Sequence, residues 1–90
     1  GMIVKEQKIN LFAGVAYENL RQEAATGSGQ YVTALAALYE IPVSKQQEFG
    51  QVLQRNHADL FAADLQDDHS AHLKMVAALN RELTAAALLP

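Results

Sequence analysis

Two histidines three positions apart, His69 and His72, are the side chains whose spacing could hold a metal ion. Residues three apart share one face of a helix, so both imidazoles could bind the same ion. Asp64 or Asp68 could add an oxygen ligand. Two close ligands do not make a site, and the sequence offers no clear third ligand elsewhere. We therefore interpret this stretch as the polar start of a helix and expect no metal and no cofactor.

Three serines, Ser28, Ser44 and Ser70, are the candidate nucleophiles for a hydrolytic reaction. No nucleophile motif surrounds them, and no histidine lies in a recognisable pairing with them. Each stands where a helix is expected to begin, and serine side chains commonly cap the first backbone N–H groups of helices. The carboxylates of Glu18 and Glu23 are expected on the solvent face of the first helix. The sequence thus predicts no catalytic residues and no enzyme.

Residues 27–49 have the outline of a DNA-reading helix-turn-helix. That motif has a small residue in its first helix, a tight turn and a second helix that meets bases and phosphates. Ala36 could be the small residue, and Glu40 occupies the turn position that often holds glycine. A nucleic-acid-binding module is therefore the alternative function.

The charges on the second helix of that outline argue against nucleic-acid binding. Lys45 and Arg55 are its only cations, and Glu48 and Asp59 oppose them. The formal net charge of the chain is −3. Such a surface cannot make the roughly six to ten phosphate contacts of a typical DNA-binding protein. We expect no DNA binding.

Four helical segments are predicted to position these side chains. They span about residues 5–25, 29–40, 44–61 and 68–87, because apolar residues recur there at three- and four-residue spacing. Ser28 and Ser44 are expected N-caps, with Gln47 at capping-box spacing from Ser44, and Asp67 or Asp68 is expected to cap the fourth helix. The fold class is all-α, a small four-helix bundle or array, with residues 1–90 forming a single helical domain.

The inward faces of these segments follow from the same spacing. The expected core residues are Ile9, Phe12, Ala13, Ala16, Leu20 and Ala24, then Tyr31, Val32, Leu35, Leu38 and Tyr39, then Phe49, Val52, Leu53, Leu60 and Phe61, and finally Leu73, Val76, Leu79 and Leu83. Gly50 in the middle of the third helix indicates close helix packing. Asn56 interrupts an apolar stripe, so we expect it to be largely buried and bonded to the backbone of residues 26–29 or 40–43.

Five apolar residues remain outside these stripes, and they predict a binding surface. They are Leu11, Val15, Met75, Leu88 and Leu89. Small helical bundles often cover surplus apolar area with a second copy of the chain. The expected function is a non-catalytic protein-interaction or structural module whose partner is a second copy or another protein.

The composition limits the remaining possibilities. The chain has 90 residues, half of them apolar, and no cysteine. The absence of cysteine excludes disulfides and thiolate chemistry. It therefore gives no information about the cellular compartment of the protein. No apolar run reaches the roughly 18 residues that a membrane-spanning helix needs. No signal peptide is recognised, and the chain would be cytoplasmic if Met2 is the native start.

Two stretches of the sequence resemble a known family. They are "ENLRQEAATGSGQYVTALAALYEIP", residues 18–42, and "FGQVLQRNHADLF", residues 49–61. The shared pattern is a helix that ends in a small-Gly-x-Gly joint, Tyr and a Leu-Ala-x-Leu run, an Ile-Pro break, a Phe, and Leu-Gln-x-Asn before a final Phe. The family consists of small exported bacterial proteins and is known as domain of unknown function family 3015.

The resemblance implies a helical domain in an envelope or secreted setting and implies no known activity. Family members carry a signal peptide and a Gly/Cys-containing part ahead of this region, so the resemblance is to their C-terminal helical region. The family has no established functional residues, and none is assigned here on its account.

Overall fold

A computed structural model describes residues 2–62 and 69–89, with side chains from Lys5 onward in these ranges. Every regular element in the described ranges is helical, which confirms the all-α class. The elements are α1 (Met2–Val15), α2 (Tyr17–Ala24), α3 (Gln30–Leu38), a 3₁₀ turn (Val43–Lys45), α4 (Gln46–Arg55), α5 (His57–Leu60) and α6 (Ala71–Ala85). The described part therefore has six α-helices, because the first and third predicted segments are each interrupted once.

The first interruption lies at Ala16, between α1 and α2. Its φ of −104° and ψ of 18° leave the helical region, although Ala16 still donates to the carbonyl of Phe12 and accepts from the N–H of Leu20, both at 2.8 Å. The sequence has no proline at this point. α1 packs against α6 and α3, whereas α2 packs against α3 and α4. The interruption thus lets the two halves pack against different helices, which local propensity does not encode.

The second interruption lies at Asn56, between α4 and α5. Its side-chain Nδ2 donates to the carbonyl of Val52 at 2.9 Å, and its backbone N–H reaches the same oxygen at 3.2 Å. A side chain that bonds the carbonyl four residues earlier competes with the helical ladder and tends to bend the helix. The prediction of a backbone partner is confirmed, but the partner lies in the same helix rather than in residues 26–29 or 40–43. The side chain is also half-buried rather than largely buried.

The core is formed by the inward faces of the helices. Its largest fully buried side chains are Phe49, Leu20, Leu35, Leu53, Leu60, Met75, Leu79, Leu83 and Val52. No polar or charged residue is buried within the described ranges. Val76, Leu79 and Leu83 on the last helix are buried as predicted, but Leu73 is 45% exposed and Met75 is fully buried instead. Met75 lies four positions before Leu79, and Leu79 lies four before Leu83, so all three share the inward face of α6.

Two glycines bring the backbone of α4 against the joint between α2 and α3. A Cβ placed on Gly50 would lie 1.9 Å from the carbonyl oxygen of Gly27. A Cβ on Gly27 would in turn lie 2.8 Å from the carbonyl oxygen of Gly50, and Gly27 has a φ of +75°. Close packing at Gly50 is thereby confirmed, and its partner is the backbone of the joint.

We predict that Gly50→Ala lowers the free energy of unfolding by about 1–3 kcal/mol, because the added methyl group meets a backbone carbonyl that cannot rotate away. This cost opposes the roughly 1 kcal/mol by which alanine favours a helix over glycine. Urea denaturation followed by circular dichroism measures the difference.

The matched control is Gly14→Ala in α1. A Cβ there lies 3.2 Å from the ring of His72, a side chain that can move. The control should be neutral or stabilising. Equal effects of the two substitutions would contradict the proposed backbone contact.

Candidate functional site

The clearest exposed apolar surface is the outer face of α1, formed by Leu11 and Val15. Leu11 is 70% exposed and Val15 is 80% exposed. The two residues are four positions apart, so their side chains are neighbours on the helix surface. Ile9 and Ala13 turn the opposite side of α1 into the core. This outer face is the part of the predicted interaction surface that the structure leaves open.

The other three residues predicted for that surface are not open. Met75 is fully buried, Leu88 is 9% exposed and Leu89 is half-buried against the core. Leu88 is brought inward because Ala87 adopts a φ of +61° and Leu88 N–H bonds the carbonyl of Leu83 at 2.9 Å. A left-handed residue at this point closes the helix end, and the following apolar side chain folds back on the helix. Including Met75 and Leu88 in the interaction surface was therefore wrong, whereas Leu89 is only half-buried.

The turn of the helix-turn-helix outline is left-handed at Glu40, although no glycine stands at this position. Glu40 has a φ of +60°, the left-handed conformation that glycine usually supplies. The N–H of Ile41 bonds the carbonyl of Ala36 at 3.0 Å and so closes the end of α3. Ala36 itself is buried, as the motif would require.

The predicted cations and carboxylates of that outline all reach solvent. Lys45, Arg55, Glu48 and Asp59 are exposed on or beside α4 and α5. The surface that would have to meet nucleic acid therefore carries opposing charges side by side, and this weakens the attraction to phosphate.

Glu23 has a structural role that the sequence interpretation missed. It was expected on the solvent face, but its Oε1 accepts hydrogen bonds from the N–H groups of Tyr31 at 2.8 Å and Val32 at 2.9 Å. These are two of the N–H groups that a helix start leaves without a helical partner. Gly29 stands at the N-cap position and has no side chain to accept them. A Cβ on Gly29 would lie 2.2 Å from the Glu23 carboxylate, so glycine is required there.

The serines expected as caps form no side-chain cap bonds in the described ranges. The N-cap of α3 is Gly29 rather than Ser28, and the N-cap of the 3₁₀ turn is Pro42 rather than Ser44. Ser70 is the N-cap of α6 but makes no side-chain cap bond. For α3, the sequence signal was Gly29 at the helix start. Glycine has no side chain to accept hydrogen bonds, so the acceptor comes from the acidic Glu23 of the preceding helix.

His69 and His72, the pair considered as metal ligands, lie at the start of α6. His72 packs beside Gly14 of α1, and His69 precedes α6. In the described ranges, no group of three or more His, Asp or Glu side chains lies close enough to hold a metal ion. Asp64, Asp67 and Asp68 lie outside those ranges. His57 ties α5 to α2, because its Nε2–H donates to the carbonyl of Arg21 at 2.9 Å.

A groove of about 570 Å³ opens between α1 and α6, on the side of α1 away from Leu11 and Val15. Tyr39 lies at its floor and donates its hydroxyl to Asn80 Oδ1 at 2.7 Å. Burial raises the pKa of Tyr39 well above its ordinary value, so this hydroxyl keeps its proton and remains a donor throughout the physiological pH range.

The fold and these surfaces define a small all-α module with an open apolar helix face and an apolar groove. No helix in the described part is long and apolar enough to cross a membrane. The model of the family described as "Protein of unknown function (DUF3015)" matches residues 1–88, and the chain belongs to that family. The match includes α1, which lies ahead of the motifs that indicated the resemblance. No curated protein and no solved structure matches the chain.

We predict that Glu23→Ala lowers the free energy of unfolding by about 0.5–2 kcal/mol, because the N–H groups of Tyr31 and Val32 lose their acceptor. Glu23→Gln keeps an acceptor oxygen and should lose less. Thermal unfolding followed by circular dichroism orders the two variants against the parent chain.

Gln22→Ala, an exposed position on the same helix, is the control and should change stability little. A Glu23→Ala variant as stable as this control would contradict the capping role.

Proposed function

We propose that this chain is a non-catalytic protein-interaction module that self-associates through the outer face of α1. Its fold is a small four-helix array when α1–α2 and α4–α5 are each counted as one interrupted helix. The observation that carries the proposal is the exposure of Leu11 and Val15 on neighbouring turns of one helix. Pairs of large apolar side chains that face solvent together are typical of protein-binding surfaces.

A symmetric antiparallel pair of α1 helices fits this face. When two copies cross at the level of Ala13, Leu11 lies opposite the partner's Val15, and Val15 lies opposite the partner's Leu11. In this register the partner's Lys8 approaches the start of α2, where the exposed Glu18 is paired with Arg21. Hydrogen bonding from Arg21 is the main reason that the pKa of Glu18 is below its ordinary value, so the carboxylate is ionised at neutral pH. Such a pair cannot add further copies, because each copy uses the same surface to bind the other.

The expected association is weak. Burying one large aliphatic side chain contributes roughly 1.5–3 kcal/mol, and such an interface buries two from each copy. Losing free motion on association costs about 4–15 kcal/mol. Because these two free-energy terms are of similar size, we expect the dimer to form at high protein concentration and to dissociate on dilution.

We predict a concentration-dependent dimer in sedimentation velocity at tens of micromolar, and a monomer for the Leu11→Glu, Val15→Glu double variant. Two carboxylates on each copy would face one another across the pair and oppose association. Val43→Glu is the matched control, since Val43 is 83% exposed in a different part of the chain. The control should dimerise as the parent does.

Charge reversal tests the register of the pair. Lys8→Glu should weaken the dimer, and adding Glu18→Lys to it should restore association by rebuilding the pair with opposite polarity. A parent chain that is monomeric at every concentration contradicts self-association. A dimer that ignores the Leu11 and Val15 substitutions contradicts this surface.

Nucleic-acid binding is the competing function, and the left-handed turn at Glu40 is the observation in its favour. The chain carries seven Lys and Arg residues against ten Asp and Glu residues. We predict that labelled duplex DNA at low salt binds no more tightly than about 10⁻⁴ M, the weak limit of non-specific binding. Fluorescence anisotropy measures this. Micromolar binding that weakens as salt is added would favour the nucleic-acid function instead.

The proposal includes an envelope or secreted setting in a bacterium, and the motif resemblance is what supports it. The gene sequence upstream of Met2 tests this part independently of self-association. A signal peptide encoded there would support export, and its absence from the complete gene would oppose it.

A further inference from the structure

The groove between α1 and α6 has the dimensions of a small-molecule site. Its volume is about 570 Å³, and ligand pockets commonly enclose about 300–1,000 Å³. Its apolar lining comes from Ile9 on α1, Leu73 and Val76 on α6, and Leu89 beyond α6. A stable protein interface needs about 20–30 residues on each side, which is more than this groove presents. Its size therefore favours a small apolar body over a protein chain.

Two asparagine side chains provide hydrogen-bonding groups inside this apolar lining. Asn10 lines the groove from α1, and Asn80 lines it from α6. Asn80 Oδ1 accepts the Tyr39 hydroxyl, which leaves its amide N–H groups to donate. Within residues 2–62 and 69–89, neither these N–H groups nor the Asn10 amide has a protein partner. Half-buried amides without protein partners are satisfied by water or by a ligand.

The charges at the mouth of the groove favour a cation. Lys5 lines the groove, but its Nζ lies 3.4 Å from Glu40 Oε2 and is paired with it. Glu6 also lines the groove, is exposed and has no cationic partner in the described ranges. The three groups carry one positive and two negative formal charges. An incoming positive group is therefore attracted and an anion is repelled.

We infer that this groove binds a small amphipathic amine. Its apolar body lies between α1 and α6, its ammonium group faces Glu6, and its polar atoms meet Asn10 and Asn80. This inference is independent of self-association, because the groove and the Leu11–Val15 face lie on different sides of α1.

Three probes with one apolar chain and different head groups test the assignment: n-octylamine, 1-octanol and octanoate, each below its aggregation concentration. Titration into isotope-labelled protein, followed by methyl chemical shifts, gives the affinities. The amine should bind most tightly, about two- to fivefold better than the alcohol, as expected for one exposed charge pair. Octanoate should bind most weakly. The shifts should concentrate on Ile9, Val76 and Leu89.

Four variants separate binding in the groove from nonspecific binding of the probes. Ala77→Phe places a ring in the groove and should reduce binding of all three probes at least tenfold, whereas Ala85→Phe on the same helix, outside the lining, should not. Glu6→Gln should remove the advantage of the amine and leave octanol unchanged. The Leu11→Glu, Val15→Glu variant should bind the probes as the parent does.

Two kinds of result would overturn the inference. One is the absence of binding by any probe at millimolar concentration, or binding that Ala77→Phe leaves intact. The other is an amine that binds no better than octanol in the parent chain, which would remove the assignment of a cationic ligand.

Discussion

The direct contact between two glycine backbones fixes the middle of this protein. Gly50 lies inside α4, and the space that its Cβ would fill is taken by the carbonyl oxygen of Gly27. The joint between α2 and α3 can therefore lie on α4 without an intervening side-chain layer. Phe49 and Leu53, on either side of Gly50 along α4, are then fully buried. The remaining core packs around this contact, since α4 also touches α3 and α6.

The joint holds its shape through a second constraint that involves Glu23. Its carboxylate reaches from α2 to the first N–H groups of α3 and thereby sets the angle between the two helices. Gly29 leaves the room that this carboxylate occupies. A charged side chain that looks like part of a solvated helix face thus acts as a structural link. The same chemistry explains why the joint needs glycine at two of its positions, one for its left-handed backbone and one for the cap.

The two open features of the surface lie on opposite sides of α1 and use different physics. The Leu11–Val15 face presents two exposed apolar side chains, which suits another protein surface. The groove beside α6 is concave and combines apolar walls with amide groups and an unpaired carboxylate, which suits a small molecule. α1 therefore carries both candidate interactions. Both α1 and α6 lie within residues 1–88, the part of the chain that matches the family model.

The sequence by itself determined the helical class, most of the inward-facing residues and the close packing at Gly50. The helical class and the inward faces follow from the local spacing of apolar residues. The close packing follows from a glycine in the middle of a helix, where glycine is otherwise unfavourable. Only the tertiary structure decided the interruption at Ala16, the burial of Met75 and exposure of Leu73 on α6, and the capping of α3 by Glu23. Each of these depends on which helix lies opposite, and the spacing of residues within one helix carries no information about its neighbour. For the same reason the groove between α1 and α6 could not be predicted, because its two walls come from opposite ends of the chain.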